Sequence, residues 1–217
     1  MDAQLLLRQI VEMQIELNDR TVENWMDKHL DWDSAILVEV AEAIDSTDWK
    51  WWKHGTTDLP NLRIEAVDLL HFLISKALTI HHEADYIVRN LVEIVENQQP
   101  NQLDELSWLK QVALYTLENK VLKALHALFN LFTQLGMDLS AIHQAYISKN
   151  LLNHYRQERG YKDPNAQYLK IIGGEEDNQV FARVVKQQSE QAEDLAHLKE
   201  RVFVVMDQCV ARARQTG

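Results

Sequence analysis

The stretch Asn61-Leu62-Arg63-Ile64-Glu65-Ala66-Val67-Asp68-Leu69-Leu70-His71-Phe72-Leu73 decides how this chain folds. Its apolar residues (Ile64, Val67, Leu69, Leu70, Phe72 and Leu73) recur with a helical period. Asp58 or Asn61 caps the predicted helix, which runs to about Ile80. Glu65 and Asp68 stand three residues apart and share one face, and His71 follows one turn on. Carboxylates on an apolar helix are costly to bury unless they are paired or hold a cation.

The preceding helix repeats the pattern. Capped by Asp33 or Ser34, it spans Ala35 to about Asp45 and sets Glu39 and Glu42 among Ile36, Leu37, Val40, Ala43 and Ile44. One such acidic pair alone reads better as a solvated helix face; with two pairs on adjacent apolar helices the two readings stand even. Two pairs on adjacent apolar helices can face each other as a nest of four carboxylates. Hard oxygen donors of this kind suit Mg²⁺, or Mn²⁺, which keep water and take up phosphate oxygens.

Working outward, Leu6, Ile10, Met13 and Leu17 form a helical stripe over residues 3–17. Gln14 and Asn18, one turn apart, offer amide donors and acceptors together. Residues 20–33 give no clear element. Residues 45–61 read as a long loop around Trp49-Lys50-Trp51-Trp52-Lys53. Rings so dense are expected to plug the core, or one of them to stack on a planar base. Helices are predicted near 83–97 and 104–135, with a turn at Gln98–Gln102. Gly136 is placed as the C′ residue of the second. Another helix runs from Asp138 to about Glu158 and stops at Gly160. Gly160, Pro164, Gly173 and Gly174 gather in one segment, and the helical pattern resumes from Val180 to Arg214. Strand signals are nearly absent. The expected architecture is all-α: a helical bundle in a single domain, 1–217, with 180–217 as a C-terminal helical extension.

Composition agrees. The 217 residues include only 6 Gly and 3 Pro, about a third of the usual share of roughly 12%. Sandwiches, barrels and propellers need more turn residues. Lys and Arg number 22 against 33 Asp and Glu, a net charge of −11. That balance argues against gripping a nucleic acid polymer through its phosphates. The lone cysteine, Cys209, excludes an internal disulfide and fits a reducing cytoplasm. The N-terminus lacks the apolar core of a signal peptide, and no stretch reaches 18 apolar residues. A soluble cytoplasmic protein without a membrane partner is expected.

Residues 146–170 carry five Lys or Arg and two Asp or Glu, a basic island in an acidic chain. Lys149, Asn150, Asn153 and Arg156 are spaced to share one helical face. Such a face can bind phosphate oxygens through charge-assisted hydrogen bonds, or can simply be solvated.

Several blocks occur in a telling order: Leu17-Asn18-Asp19, Glu39-x-x-Glu42-x-x-Asp45-Ser46, Trp49-Lys50-Trp51-Trp52-Lys53 and Arg63-Ile64-Glu65-x-x-Asp68-x-x-His71-Phe72. Then come Lys149-Asn150-x-Leu152-Asn153-x-x-Arg156-Gln157-x-x-Gly160-Tyr161-Lys162 and Gly174-Glu175-Glu176-Asp177-Asn178. Over about residues 14–178 the chain resembles the dimeric, all-α dUTPases of the helical nucleotide pyrophosphohydrolase superfamily. The carboxylate pattern marks the superfamily; the tryptophan and Lys149–Lys162 blocks are more specific to the dUTPase branch. Residues 81–145 carry no motif matched to it.

The resemblance implies hydrolysis of dUTP, and of dUDP, to dUMP by a homodimer. It implies Mg²⁺ held by Glu39, Glu42, Glu65 and Asp68, with Glu42 orienting or deprotonating the attacking water. Gln14, Asn18, Trp52 and His71 would form the deoxyuridine pocket. Lys53, Lys149, Asn150, Asn153, Arg156, Tyr161, Lys162, Lys170 and Asn178 would contact the phosphates. Two rivals stand beside it: a MazG-like or dCTP-directed pyrophosphohydrolase, and a non-catalytic helical interaction protein.

Overall fold

The computed structural model describes residues 2–99, 102–163, 165–189, 192 and 194–216. Among them the helices are α1 (Ala3–Thr21), α2 (Trp32–Asp45), α3 (Leu59–His81), α4 (Ala84–Glu96), α5 (Glu105–Leu117), α6 (Val121–Gln134), α7 (Leu139–Glu158), α8 (Asp177–Ser189) and α9 (Leu195–Thr216). The fold is all-α, as the sparse turn residues and helical periods predict. Two compact units divide the chain, Met1–Tyr146 and Ile147–Gly217.

In the first unit α3 is the central element. It packs on α1, α2, α4 and α6, and most of its length is buried. A helix that is apolar nearly all round has no stable place except inside. Five of its polar residues, Glu65, Asp68, His71, Ser75 and Lys76, are nevertheless held in the core.

Aspartates start the helices. Asp31 accepts from the Ser34 N–H at 3.0 Å, Asp58 from Asn61 at 3.1 Å and Asp104 from Ser107 at 2.7 Å. Each satisfies one of the orphan donors of a first turn. With Asp31 as the cap, α2 begins at Trp32, a little earlier than a cap at Asp33 or Ser34 allows. Between α1 and α2, where the sequence gives no clear element, a single 3₁₀ turn, Trp25–Asp27, buries Trp25, whose Nε1 donates to Asp19 at 2.9 Å.

The predicted helix 104–135 is two helices, α5 and α6, packed on each other. Asn119 breaks it with a φ of 59°. The Lys120 N–H reaches the Tyr115 carbonyl at 2.8 Å and the Asn119 N–H reaches Thr116 at 3.1 Å. That is a Schellman stop with Asn in the left-handed position, which Asn tolerates better than most side chains. Gly136 (φ 70°) ends α6 with the same bond pattern, Met137 to Phe132 and Gly136 to Thr133. Gly160 (φ 72°) ends α7 likewise.

The second unit builds its own core from Leu151, Leu152, Tyr155, Phe181, Val202, Phe203 and Met206. The continuous helical pattern from Val180 resolves into α8 and α9. Residues 171–172 and 175–176 form a minimal antiparallel hairpin, pairing Ile171 with Glu176 and Ile172 with Glu175. Gly173 and Gly174 turn it, both at positive φ (60° and 90°), as a two-residue hairpin loop demands. Pro164 lies outside the described residues. Among the described residues no helix is long and apolar enough to cross a membrane.

Candidate active site

Helices α2 and α3 lie side by side and bring their acidic pairs together. Glu39, Glu42 and Glu65 each offer a carboxylate oxygen, and these oxygens lie within 4.8 Å of one another. Glu65 is almost wholly buried, Glu39 half-buried and Glu42 exposed, so the group runs from the core to the surface. Asp68, buried one turn beyond Glu65 on α3, is not part of this close group. Three like charges at such range repel strongly at low dielectric unless a cation sits among them. The donor set is all oxygen, which is what Mg²⁺ and Mn²⁺ prefer.

Asn61 steadies the buried end. Its Nδ2 donates to Glu65 Oε1 at 3.1 Å and to Ser46 Oγ at 2.8 Å. The sequence presents Asn61 only as a capping candidate; its position four residues before Glu65 is the signal for the second role.

Deeper along α3 lies a network of neutral polar groups. Gln14 Nε2 donates to Asn18 Oδ1 at 3.0 Å and to Ser75 Oγ at 2.9 Å. Asn18 Nδ2 donates to the same Ser75 oxygen at 2.9 Å, while the Ser75 hydroxyl donates to the His71 carbonyl at 2.9 Å. Gln14 Oε1 meets His71 Nδ1 at 2.7 Å and the Tyr146 hydroxyl at 2.5 Å. The His71 and Tyr146 rings stack at 3.9 Å and 19°. All five residues are buried. Burial pushes the Tyr146 hydroxyl well above its ordinary pKa, so it stays protonated and donates. Gln14, Asn18 and His71, which the resemblance groups together, thus meet in one network. Ser75 is a missed member, placed one turn beyond His71 on the same face. Tyr146 carries no local signal, since it lies 132 residues from Gln14.

The tryptophan cluster is not a core plug. Trp51 is 90% exposed, Trp52 58% and Trp49 37%. The rings pack edge-to-face on each other, Trp49 on Trp52 at 5.3 Å and Trp51 on Trp52 at 5.4 Å. The loop closes on itself through the Asp58 N–H to the Ser46 carbonyl at 2.8 Å and through Lys50 to Asp45 at 2.5 Å. Val40, Ala43, Leu62 and Ala66 on the flanking helices are buried, while these rings are not. Lys53 is exposed on the same loop.

In the second unit Asn150 is buried, and Lys149, Asn153 and Asn178 are half-buried. Tyr161, Lys162 and Lys170 are exposed. Arg156 is committed to Asp177: Nε and Nη2 reach its two carboxylate oxygens at 2.8 and 2.7 Å. Tyr168 donates to the same carboxylate at 2.7 Å. Burial alone pushes Asp177 up, but the hydrogen bonds from Arg156 and Tyr168 and the guanidinium charge outweigh it and hold the group below its ordinary range. Tyr161 lies under the Arg156 guanidinium at 5.0 Å.

With this geometry in view, the family model described as dUTPase matches residues 6–161, well over half of the chain. The chain belongs to the all-α dUTPase family. It is an enzyme, a dUTP diphosphatase. No curated protein matches it. The dUTPase match includes the four carboxylates, the amide network, the tryptophan loop and α7 through Tyr161. It also runs through residues 81–145, where the sequence shows no recognisable motif. Lys162, Lys170 and Asn178 of this dUTPase lie beyond it.

Proposed function

We propose that this dUTPase converts dUTP, and dUDP, to dUMP with a divalent cation, Mg²⁺ or Mn²⁺, held by Glu39, Glu42, Glu65 and Asp68. The observation that carries this reading is the convergence of three carboxylates from two helices within 4.8 Å. A bound divalent cation polarises phosphoryl oxygens and makes a water more acidic. Asn61 holds Glu65 in register for its ligand role. Glu42, the exposed member, accepts the proton of the attacking water and returns it to solvent. The water oxygen forms the new P–O bond in line as the P–O bridge between the α- and β-phosphates breaks, which yields dUMP with pyrophosphate from dUTP or with phosphate from dUDP.

Gln14, Asn18 and His71 form the wall that receives deoxyuridine, and the open face of Trp52 stacks on the base. Rejection of cytosine follows from an amide set for the uracil edge, because a mispaired buried polar group is expensive. Lys53, Lys149, Asn150 and Asn153 offer charge-assisted or amide hydrogen bonds to phosphate oxygens. Arg156, Tyr161, Lys162, Lys170 and Asn178 supply the same chemistry. Arg156 does so with Nη1, the one nitrogen that Asp177 does not engage. The protein acts as a homodimer in the cytoplasm.

The test is pyrophosphate release from dUTP, dCTP, dTTP and UTP by the purified protein, with and without Mg²⁺. Release from dUTP alone and only with the cation is expected. Equal rates on all four substrates sink the uracil assignment. A rate unaffected by removing the cation sinks the metal assignment. Light scattering reads the dimer.

A further inference from the structure

Counting donors and acceptors in the α1–α3 network gives its members unequal tasks. Gln14 is saturated: both oxygen lone pairs take hydrogens, from His71 and Tyr146, and both amide hydrogens are given, to Asn18 and Ser75. Ser75 is saturated too. Its one hydrogen goes to the His71 carbonyl, so its oxygen can only accept, and it accepts twice. Asn18 gives one amide hydrogen to Ser75 and receives one from Gln14. One Nδ2 hydrogen and one Oδ1 lone pair remain to it. They form an adjacent donor and acceptor on a rigid amide.

That pair is the complement of a uracil edge, where N3–H donates and O4 accepts. Cytosine presents the reverse at the same two positions, since N3 accepts and the N4 amine donates. For a base held in one seat, turning the Asn18 amide over would exchange the preferred base.

We propose that Ser75 and Tyr146 are positioning residues for base choice: Ser75 fixes which way the Asn18 amide faces, and Tyr146 fixes it through Gln14. Ser75 is decisive because its hydroxyl, committed to the His71 carbonyl, will face only NH₂ groups. Tyr146 acts at one remove, as a donor that keeps the Gln14 oxygen away from Asn18. The inference rests on the reading of this wall as the deoxyuridine pocket.

The test measures dUMP and dCMP binding by calorimetry in the absence of metal, on the full chain and on Ser75→Ala, Tyr146→Phe and Ser75→Thr. Wild type should prefer dUMP. Ser75→Ala should lower the dUMP-to-dCMP preference by about tenfold or more, the scale set by losing one buried polar match. Tyr146→Phe keeps the stacked ring and should lower the preference less, in the same direction. Ser75→Thr restores the hydroxyl and should restore the preference. A structural role alone weakens both nucleotides together and leaves the ratio unchanged; that result overturns the proposal. If Ser75→Ala does not fold, Tyr146→Phe decides, and an unchanged ratio there is equally fatal. A wild type that prefers dUMP but releases no pyrophosphate from dUTP defeats the proposed reaction and leaves this inference standing. A wild type with no preference defeats this inference and the uracil assignment, whatever its rate of pyrophosphate release from dUTP.

Discussion

Arg156 clasps the fully buried carboxylate of Asp177 with two guanidinium nitrogens, at 2.7 and 2.8 Å. The pair ties the last turns of α7 to the first residue of α8. Removing one partner strands the other charge inside, which typically costs about 3–5 kcal/mol. Arg156→Met should therefore destabilise by that order, and Arg156→Met with Asp177→Asn should recover part of the loss. Urea unfolding followed by circular dichroism reads both. A single-variant cost under about 1 kcal/mol, the range of an exposed pair, would mean that the charge is not truly buried.

Asp177 also makes acid stability predictable in sign. Its native pKa is held below the ordinary carboxylate value, which is about 3.9. Above that value both folded and unfolded carboxyls are ionised and the pair contributes in full. As the pH falls below it the unfolded chain takes the proton first, and the contribution is lost on passing the native pKa. Melting temperature should fall as pH drops below about 4. In Asp177→Asn that part of the fall should be missing.

Glu42→Gln should abolish turnover and leave the melting temperature nearly unchanged, since the side chain is exposed. Glu65→Gln should instead weaken divalent-ion binding, measured directly by calorimetry. A near-normal rate for Glu42→Gln would remove it as the proton acceptor.

Trp52→Ala should separate binding from stability. The ring is 58% exposed, so its loss should change stability by no more than about 0.5 kcal/mol. Base stacking on an aromatic ring is worth about 1–3 kcal/mol, so dUMP affinity should fall by roughly tenfold or more. Unchanged affinity would show that the base does not stack there.

The chain announces its helices plainly where apolar period and aspartate caps coincide, as in α3. It announces the carboxylate pairs because the same three-residue acidic spacing recurs on two adjacent apolar helices. Asn119 was legible in principle, as an Asn placed to end a helix, but the apolar period continues across it and hides the break. The tryptophans mislead because hydrophobicity argues for burial, whereas the rings pack edge-to-face on one another at the surface. Tyr146 was beyond reach: its bond to Gln14 joins residues 132 apart, and nothing local encodes such a pairing. Arg156 reads as a surface cation in sequence because its buried partner is 21 residues away.

The spread of tryptophan environments has a practical consequence. Trp25 and Trp108 are sealed at 1% and 3% exposure, while Trp51 and Trp52 stand in water. The protein should therefore emit in two colours, a blue component from the sealed rings and a redder one from the loop; a single unresolved band would contradict this. If the base stacks on Trp52 as proposed, nucleotide binding should perturb the redder component, while unfolding should shift the blue one. Occupancy and integrity can be followed in one cuvette without a dye.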